Sequence, residues 1–373
     1  MGFGGKMRTK IISFIIIVSV LVVSFSISQE NPQWKGKIEY EDGIEVITSP
    51  EQPMYGEDVF SMDEDLSIGV AEGKKEYDFF HLSYLAVDDQ EAIYAMDQGE
   101  KLVKVYDKKG NFLRFIGRKG EGPGELQNPD DIFIVNTNNL VIEDFIRNIS
   151  YFSTTGKFIR SLSTTKIFPV GVSLNSRGYI LIITNIKASN KWGKEISLYD
   201  DNLTYLKTII SIPQPKPNPQ ILKPFQPNIN MSSYRDDHFI VSFKEEYELQ
   251  IFNLKGELVK IIRQEYEPIK VTEEDVKLSV GKVSKGRKLV VPTYFPAIHS
   301  LTTDDEGRIF AHTFEKDGNG KHFHGVFDQD GRYIAKISLK DHPKVWKKGK
   351  LYTIEEDKDG FQYVKRYKVT WKY

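Results

Sequence analysis

The feature that most constrains this chain is a short sequence pattern that occurs five times without gaps. Each copy reads as a strand, a tight turn and a second strand, with an aromatic residue in third place and glycine or asparagine in the turn. These two residues reach the positive φ of such turns at the lowest cost, so each copy predicts a β-hairpin. The copies are "KVYDKKGNFLRFIG" from Lys104, "SYFSTTGKFIRSLS" from Ser150, "SLYDDNLTYLKTII" from Ser197, "QIFNLKGELVKIIR" from Gln250 and "GVFDQDGRYIAKIS" from Gly325.

The copies recur with a period of about 45 residues, which matches one blade of a β-propeller. A degenerate sixth copy, "KRYKVTWKY", has Tyr367 in the aromatic place. Two more strand-like runs precede each hairpin, as in residues 130–145 and 297–314, so each repeat has four strands, A to D. We therefore predict an all-β fold, a six-bladed β-propeller of four-stranded antiparallel blades.

The sixth blade lacks an outer strand because the sequence stops at Tyr373, whereas "VFSMDEDLSIG" from Val59 precedes the first blade and belongs to none. Pairing 59–68 with 367–371 would close the ring and cover two edges that otherwise promote aggregation. The predicted domains are a signal peptide over 1–28, an N-terminal extension over 29–54 and the propeller over 55–373.

The stretch "YDKKGNFLRFIGRKGEGPGELQNPDDI", together with the sixfold repeat, resembles exported bacterial six-bladed β-propeller proteins related to NHL-repeat proteins. The resemblance covers roughly residues 55–373, and its most specific part is the Gly-Pro-Gly-Glu segment at 122–125, which later repeats lack. It implies the propeller fold. Because members of that family have diverse functions, it implies little about chemistry.

The N-terminus has the pattern of a secretory signal peptide, with Lys6, Arg8 and Lys10 before the apolar run Ile11–Ile27 and small residues near its end. We expect cleavage before Gln29 and an exported protein that is periplasmic, envelope-associated or extracellular, with no membrane insertion after cleavage. The alternative is an uncleaved anchor, since the run is near the shortest length that spans a bilayer.

The composition limits the chemistry of the exported chain. There is no cysteine, which excludes disulfides, thiolate ligands, cysteine nucleophiles and lipid attachment by the bacterial lipoprotein route. The net charge of −1 becomes −4 when residues 1–28 remove three basic residues and no acidic one. This balance gives no electrostatic reason to bind nucleic acid or anionic lipid. We expect a monomer.

The glycine-rich stretch "GRKGEGPGELQNPDDIFI" at 117–134 raises the possibility of a phosphate site. A P-loop needs Gly-Lys-Ser/Thr leading into a helix, whereas the residues that follow here are β-branched and aromatic. We interpret the stretch as a crossing between blades, in which Gly120, Gly122 and Gly124 permit a tight path and Pro123 fixes one φ.

Histidines and carboxylates are the common metal ligand types left in a chain without cysteine. Propeller metal sites usually draw ligands from several blades, whereas the four histidines in question belong to the fifth blade alone. The turns at 315–321 and 357–360 lack the downstream glutamate of a calcium loop. We expect no metal site and no cofactor. The four histidines are His299, His312, His322 and His324.

Two longer segments have structural interpretations. The proline-rich run at 213–227 predicts a rigid loop across the fourth blade, although it also resembles a ligand for a proline-recognition domain. The insert that starts at Thr272 has this threonine as an N-cap residue, followed by an acidic first turn. This pattern predicts a short helix that covers apolar surface.

The long connections are all D-to-A or B-to-C, whereas the A-to-B and C-to-D turns are short throughout. In an antiparallel blade the two long kinds emerge at the same end, which we call the long-loop face and expect to carry function. Aromatic, cationic and polar residues of these loops are the predicted ligand contacts. They are Arg118, Lys119, Arg147, Asn148, Trp192, Tyr294, Phe295 and Trp346.

Two functions remain open at this point. The first is a non-enzymatic binding module that recognises a protein, peptide or glycan, because no catalytic motif is recognisable. The second is a lyase or hydrolase that acts on a polymer at the propeller axis. Polar side chains from different blades that meet at the axis would favour catalysis. The sequence identifies no catalytic residue.

Overall fold

The computed structural model describes residue 1 and residues 33–373, apart from 71–72, 137, 146, 189–190, 236, 281–286 and 341–342. The predicted signal peptide therefore lies, after residue 1, outside the described residues. The part of the chain from 33 onward forms one unit built almost entirely of β-strands. None of its described helices is long and apolar enough to cross a membrane.

The described residues form 28 strands, a 3-10 helix at Glu57–Val59 and one α-helix, α1 (Glu273–Val280). In chain order the strands are β1 (Lys37–Glu41), β2 (Ile44–Ser49), β3 (Phe60–Ile68), β4 (Leu82–Val87), β5 (Ile93–Asp97), β6 (Leu102–Tyr106), β7 (Phe112–Ile116), β8 (Pro129–Val135), β9 (Asn139–Asp144), β10 (Asn148–Ser153), β11 (Phe158–Ser163), β12 (Pro169–Leu174), β13 (Ile180–Ala188), β14 (Lys191–Tyr199), β15 (Tyr205–Gln214), β16 (Ile221–Leu222), β17 (Asn230–Tyr234), β18 (His238–Ser242), β19 (Glu248–Asn253), β20 (Leu258–Gln264), β21 (Lys288–Leu289), β22 (Ser300–Thr303), β23 (Ile309–Lys316), β24 (His322–Phe327), β25 (Tyr333–Leu339), β26 (Pro343–Lys347), β27 (Lys350–Glu356) and β28 (Gln362–Trp371).

Six antiparallel four-stranded units form the ring, which confirms the predicted six-bladed all-β propeller. The first strands contact each other between blades 1 and 2, 3 and 4, 4 and 5, 5 and 6, and 6 and 1, so these strands surround the axis. Blade 1 is β4–β7, blade 2 is β8–β11, blade 3 is β12–β15, blade 4 is β17–β20, blade 5 is β22–β25, and blade 6 is β26, β27, β28 and β3.

The repeated hairpin turn explains why each copy folds alike. In blade 1 the Asp107 carboxylate accepts hydrogen bonds from the backbone N–H groups of Lys109 (2.8 Å) and Asn111 (2.9 Å), and Gly110 has a φ of 84°. This side-chain capping replaces backbone bonds that a tight turn cannot make. The same place in the later copies is taken by Ser153, Asp200, Asn253 and Asp328, each of which accepts backbone N–H bonds in its own turn.

The aromatic third residue of the repeat packs against the preceding blade. Phe152 of blade 2, for example, lies in one apolar cluster with Val103 and Val105 of blade 1. Tyr106 likewise packs with Tyr352 and Val364 of blade 6. The sequence period is therefore the period of packing between blades.

The N-terminal strand closes the ring as predicted. Strand β3 pairs antiparallel with β28 from Ile68 beside Val364 to Phe60 beside Trp371. It supplies the outer strand that blade 6 would otherwise lack.

The predicted N-terminal extension contributes two further strands. β1 and β2 form a hairpin, and β2 pairs in parallel with β20, the outer strand of blade 4, with Val46 beside Ile261. Val46 and Ile47 are buried, and Arg263 of β20 forms an ion pair of 2.6 Å with Glu41. The hairpin thus covers the outer edge of blade 4.

Candidate functional site

Two of the long loops contact each other at the long-loop face. Strand β16, from the proline-rich loop between blades 3 and 4, pairs in parallel with β21, from the insert between blades 4 and 5. Phe225 of the first loop lies edge-on to Phe295 of the second, with ring centroids 4.9 Å apart. The predicted short helix is α1, in which the Thr272 hydroxyl accepts a hydrogen bond from the Asp275 N–H (3.2 Å).

The innermost strands of blades 1, 2, 3 and 6 each have a β-bulge at the same place. It lies at the start of the strand, directly after the D-to-A loop and hence at the long-loop face. A bulge adds one unpaired residue and redirects its side chain, which is why bulges recur beside functional sites. The extra residues are Ser83, Asp130, Val170 and Lys344.

Polar side chains from three blades meet at this axial opening. The Asp130 carboxyl lies beside the side chains of Tyr84 and Gln98, and Ser83 Oγ donates to Gln98 Oε1 (3.1 Å). Lys344 Nζ of blade 6 lies 5.8 Å from the centroid of the Tyr84 ring. Blades 1, 2 and 6 thus contribute to one network.

Two carboxyls of blade 2 complete the site. Asp131 and Glu143 are directly paired across β8 and β9, so both side chains project on the same side of the sheet. Burial raises the pKa of Asp131 to about 7, and burial together with the charges of Asp131 and Asp130 raises the pKa of Glu143 to about 8. Both carboxyls therefore hold a proton over part of the neutral range and can donate hydrogen bonds. We call Tyr84, Asp130, Asp131, Glu143 and Lys344 the axial mouth.

The glycine-rich stretch binds its own carboxylate. Glu125 accepts hydrogen bonds from Arg118 Nε (2.9 Å) and from the Gly122 N–H (2.8 Å). A Cβ at Gly120, whose φ is 159°, would lie 2.0 Å from Glu125 Oε2, so this position requires glycine. The loop is a crossing between blades 1 and 2.

The structure corrects the placement of Trp346. This residue was predicted in the last D-to-A loop, but it lies within strand β26 and is 5% exposed. Its ring stacks on Phe310 at 4.0 Å, and its Nε1 donates to Thr302 Oγ1 at 3.2 Å. The sequence predicts a loop here, whereas residues from Pro343 onward form β26, the innermost strand of blade 6. Trp346 is therefore part of the packing between blades 5 and 6.

The other predicted contact residues lie at the long-loop face, where Arg118, Lys119, Arg147, Tyr294 and Phe295 belong to connections between strands. Among them, Phe295 is only 8% exposed and stacks on Phe314 at 4.3 Å, so it supports its loop. Arg118 has a side chain that is 78% exposed although it pairs with Glu125. Asn148 is the first residue of β10. The predicted loop placement of Trp192 is wrong, because β13 and β14 stay paired as far as Ala188 and Lys191 and Trp192 lies within β14, beside Lys187.

The four histidines of blade 5 come together. His312 Nδ1 lies 3.1 Å from His299 Nδ1, and the His312 ring stacks on His324 with centroids 4.8 Å apart. His322 meets His312 edge-on at 4.8 Å. Among the described residues, no group of three or more His, Asp or Glu side chains is arranged to hold a metal ion.

Sequence reasoning missed the axial mouth although one signal was present. The short turn between β8 and β9 fixes their register, and counting back from that turn places Asp131 opposite Glu143. The bulge that redirects Asp130 has no comparable signature, because the residues around it read as an ordinary strand start.

The sequence matches a family described as DUF5128, 6-bladed beta-propeller, over residues 72–364. The chain belongs to this family. Among solved structures, this DUF5128 propeller is similar to a Bacteroides fragilis protein named as exported (TM-score 0.55, 12% identity, 88% of this chain and all of that one). It is also similar to a DUF4221-family member from Bacteroides vulgatus (TM-score 0.51, 11% identity, 85% of this chain and all of that one). At these identities the two likenesses show the fold alone.

A relative over part of the chain is the protein brain tumor of Drosophila melanogaster, which is 26% identical over 119 residues. The match covers 31% of this chain and 11% of the fly protein. The DUF5128 propeller thus spans only a small part of that relative's length.

Proposed function

We propose that this protein is an exported binding propeller that recognises a peptide, protein or glycan at its long-loop face, with the axial mouth at the centre of the contact. The observation that carries the proposal is the convergence of five polar side chains from blades 1, 2 and 6 on one axial opening. Ligand sites combine such convergent polar groups with a preformed concave scaffold.

The chemistry of the axial mouth favours a ligand rich in hydrogen-bonding groups. Protonated Asp131 and Glu143 donate, the Asp130 carboxyl accepts, and Lys344 supplies a cation next to the Tyr84 ring. Arg118 and Tyr294, which are exposed on the surrounding loops, and Trp192, which is half-buried near the start of β14, add contact area as rigid or charged anchors.

Export and the wider relationship are part of the same proposal. The predicted signal peptide before Gln29 and the likeness to the Bacteroides fragilis protein named as exported both support release from the cytoplasm. The repeat pattern and the match to the Drosophila protein support a relation to NHL-repeat proteins.

A polymer-acting lyase or hydrolase is the second candidate. The raised pKa values of Asp131 and Glu143, about 7 and about 8, are the specific observation that favours it. A carboxyl that keeps its proton near neutral pH is suited to act as a general acid.

The binding proposal is tested with glycan and peptide arrays probed by the mature protein. We expect the Asp131→Asn/Glu143→Gln double variant to weaken the strongest interaction about tenfold or more. Lys109→Ala and Asn138→Ala, in the short turns at the opposite face, are matched controls that should bind normally. Normal binding by the double variant, together with weakened binding by the controls, would show that the ligand binds at the opposite face and would contradict the proposal.

The enzymatic candidate has its own readout. Polysaccharides incubated with the protein would gain reducing ends from a hydrolase, or an ultraviolet-absorbing unsaturated end from a lyase. Turnover that disappears in the Asp131→Asn/Glu143→Gln variant would replace the binding proposal with catalysis at the same site.

A further inference from the structure

The fifth copy of the repeat differs from the other four at its first residue. Gly325 stands where the others have Lys104, Ser150, Ser197 and Gln250. Two residues later, Phe327 packs against blade 4, so by strand alternation position 325 also faces that blade.

A cavity of about 340 Å³ lies beside Gly325, between blades 4 and 5. Aromatic side chains form much of its wall, namely Tyr266 and Phe295 from the insert between the two blades and Phe323 from β24. The volume lies within the range of small-molecule sites. The insert is the D-to-A connection between blades 4 and 5, so the cavity that it lines lies at the long-loop face.

Two polar atoms in the wall are left without protein partners. Tyr247 is 4% exposed, and neither its Oη nor Gln264 Oε1 has a hydrogen-bond partner among the described residues. A Cβ at Gly325 would lie 2.5 Å from Tyr247 Oη and 3.6 Å from Gln264 Oε1, so both atoms border the same space. A ligand hydroxyl satisfies both at once, because it accepts from the tyrosine O–H and donates to the amide oxygen.

The charges around the cavity disfavour an anionic ligand. Lys336 Nζ is held by Glu315 Oε1 at 2.7 Å and lies 4.5 Å from the centroid of the Phe323 ring, so its charge is already paired. Exposed Glu51 and Glu267 stand at the wall and can accept bonds from further hydroxyls.

We infer that this cavity, the blade 4–5 pocket, binds a neutral polyhydroxylated ring such as a pyranose sugar. One hydroxyl bridges Tyr247 Oη and Gln264 Oε1, and the aromatic wall takes the apolar face of the ring. The inference goes beyond the proposed function, because the pocket shares no residue with the axial mouth.

The test is ligand-observed NMR and calorimetry on the mature protein with glucose, galactose, mannose and N-acetylglucosamine, each also as its methyl glycoside and as a disaccharide. We expect binding of at least one probe to the wild type. Tyr247→Phe should weaken it about fivefold or more, and Gly325→Ala should abolish it because the new methyl group enters the space. Gly318→Ala is the matched control, since a Cβ there meets nothing within 4 Å.

Each outcome decides the inference. Binding of the free sugars points to a free monosaccharide, whereas binding of only the glycosides or disaccharides points to a glycan end. Failure of all probes, stronger binding of choline than of any sugar, or normal binding by both Tyr247→Phe and Gly325→Ala would overturn it. If Gly325→Ala does not fold, Tyr247→Phe decides alone, because it keeps the shape of the side chain. Axial-mouth variants should leave sugar binding unchanged.

Discussion

Blades 1 and 5 use the same position of the repeat in opposite ways. In blade 1, Lys104 projects into the space between its strand and the incoming D-to-A loop, and its side chain is fully buried. Its ammonium group lies 3.2 Å from Asp97 and 2.8 Å from Glu100, and it donates to the backbone carbonyls of Lys75 and Asp78. The space is part of the core.

In blade 5 the corresponding residues are uncharged. Gly325 replaces Lys104, and Thr313 stands on the neighbouring strand where blade 1 has Asp97. The incoming loop is the long insert, and the result is the blade 4–5 pocket. The comparison teaches that the repeat fixes the backbone, while one side chain decides whether the space between loop and blade is core or cavity.

The largest effect is expected at Lys104. Lys104→Ala leaves the buried Asp97 without its cation, and breaking such a pair costs about 3–5 kcal/mol of the free energy of unfolding. Chemical denaturation measures the change. Ser150→Ala, at the same place in blade 2, is the control and should cost much less. A loss of less than about 1 kcal/mol in the free energy of unfolding of Lys104→Ala would contradict the claim that this space is part of the core in blade 1.

The converse change in blade 5 should be smaller. Gly325→Ala is expected to cost about 1–3 kcal/mol, because its Cβ would lie 2.5 Å from Tyr247 Oη. Tyr247→Phe removes that oxygen. Gly325→Ala should therefore cost less stability in the Tyr247→Phe background than in the wild type, which a double-mutant cycle measures. Equal costs in both backgrounds would show that the tyrosine hydroxyl does not determine the need for glycine.

Blade 5 should lose stability at a higher pH than blade 1 when the solution is acidified. Burial, and the neighbouring His322 charge, lower the pKa of His299, and burial lowers the pKa of His322. The unfolded chain then binds more protons, so their contribution to stability is lost as the pH falls below about 6.5. Burial would raise the pKa of Asp97, but backbone N–H bonds from Phe80 and His81 hold it below its usual value. The contribution of Asp97 is therefore lost only below about pH 4.

Hydrogen exchange between pH 7.5 and pH 5.5 checks this difference. Amide protection in β22–β24 of blade 5 should fall before protection in β5 and β6 of blade 1. The reverse order, or equal loss in both blades, would contradict it.

The smallest effect is expected for an exposed ion pair. Arg118→Ala breaks the contact with Glu125, but the arginine side chain is 78% exposed, so the loss of stability should be at most about 1 kcal/mol. The melting temperatures of the Arg118→Ala and Lys104→Ala variants, each compared with that of the wild type, measure the difference between the exposed and the buried ion pair. A comparable loss of stability in the two variants would mean that burial does not determine how much these ion pairs contribute to stability.

The repeat was enough to predict the blades, because its aromatic residues and turn glycines carry the packing and the hairpin register directly. Ring closure followed from one unassigned strand and one missing strand. The axial mouth did not follow, since the bulge at Asp130 depends on how the incoming loop meets the innermost strand. Trp346 was misplaced for the same reason: the start of β26 reads as a loop. Gly325 was visible in the aligned copies, but only the path of the insert shows that it borders a cavity.

The central functional claim is that the axial mouth contacts the ligand. Its most direct test is the affinity of the wild type and of the Asp131→Asn/Glu143→Gln variant for the strongest array ligand between pH 5 and pH 9. The account predicts that the wild-type affinity changes across the interval in which these carboxyls lose their protons, at pH values of about 7 and about 8, and that the variant's affinity changes much less. The same pH profile in both proteins would contradict the claim.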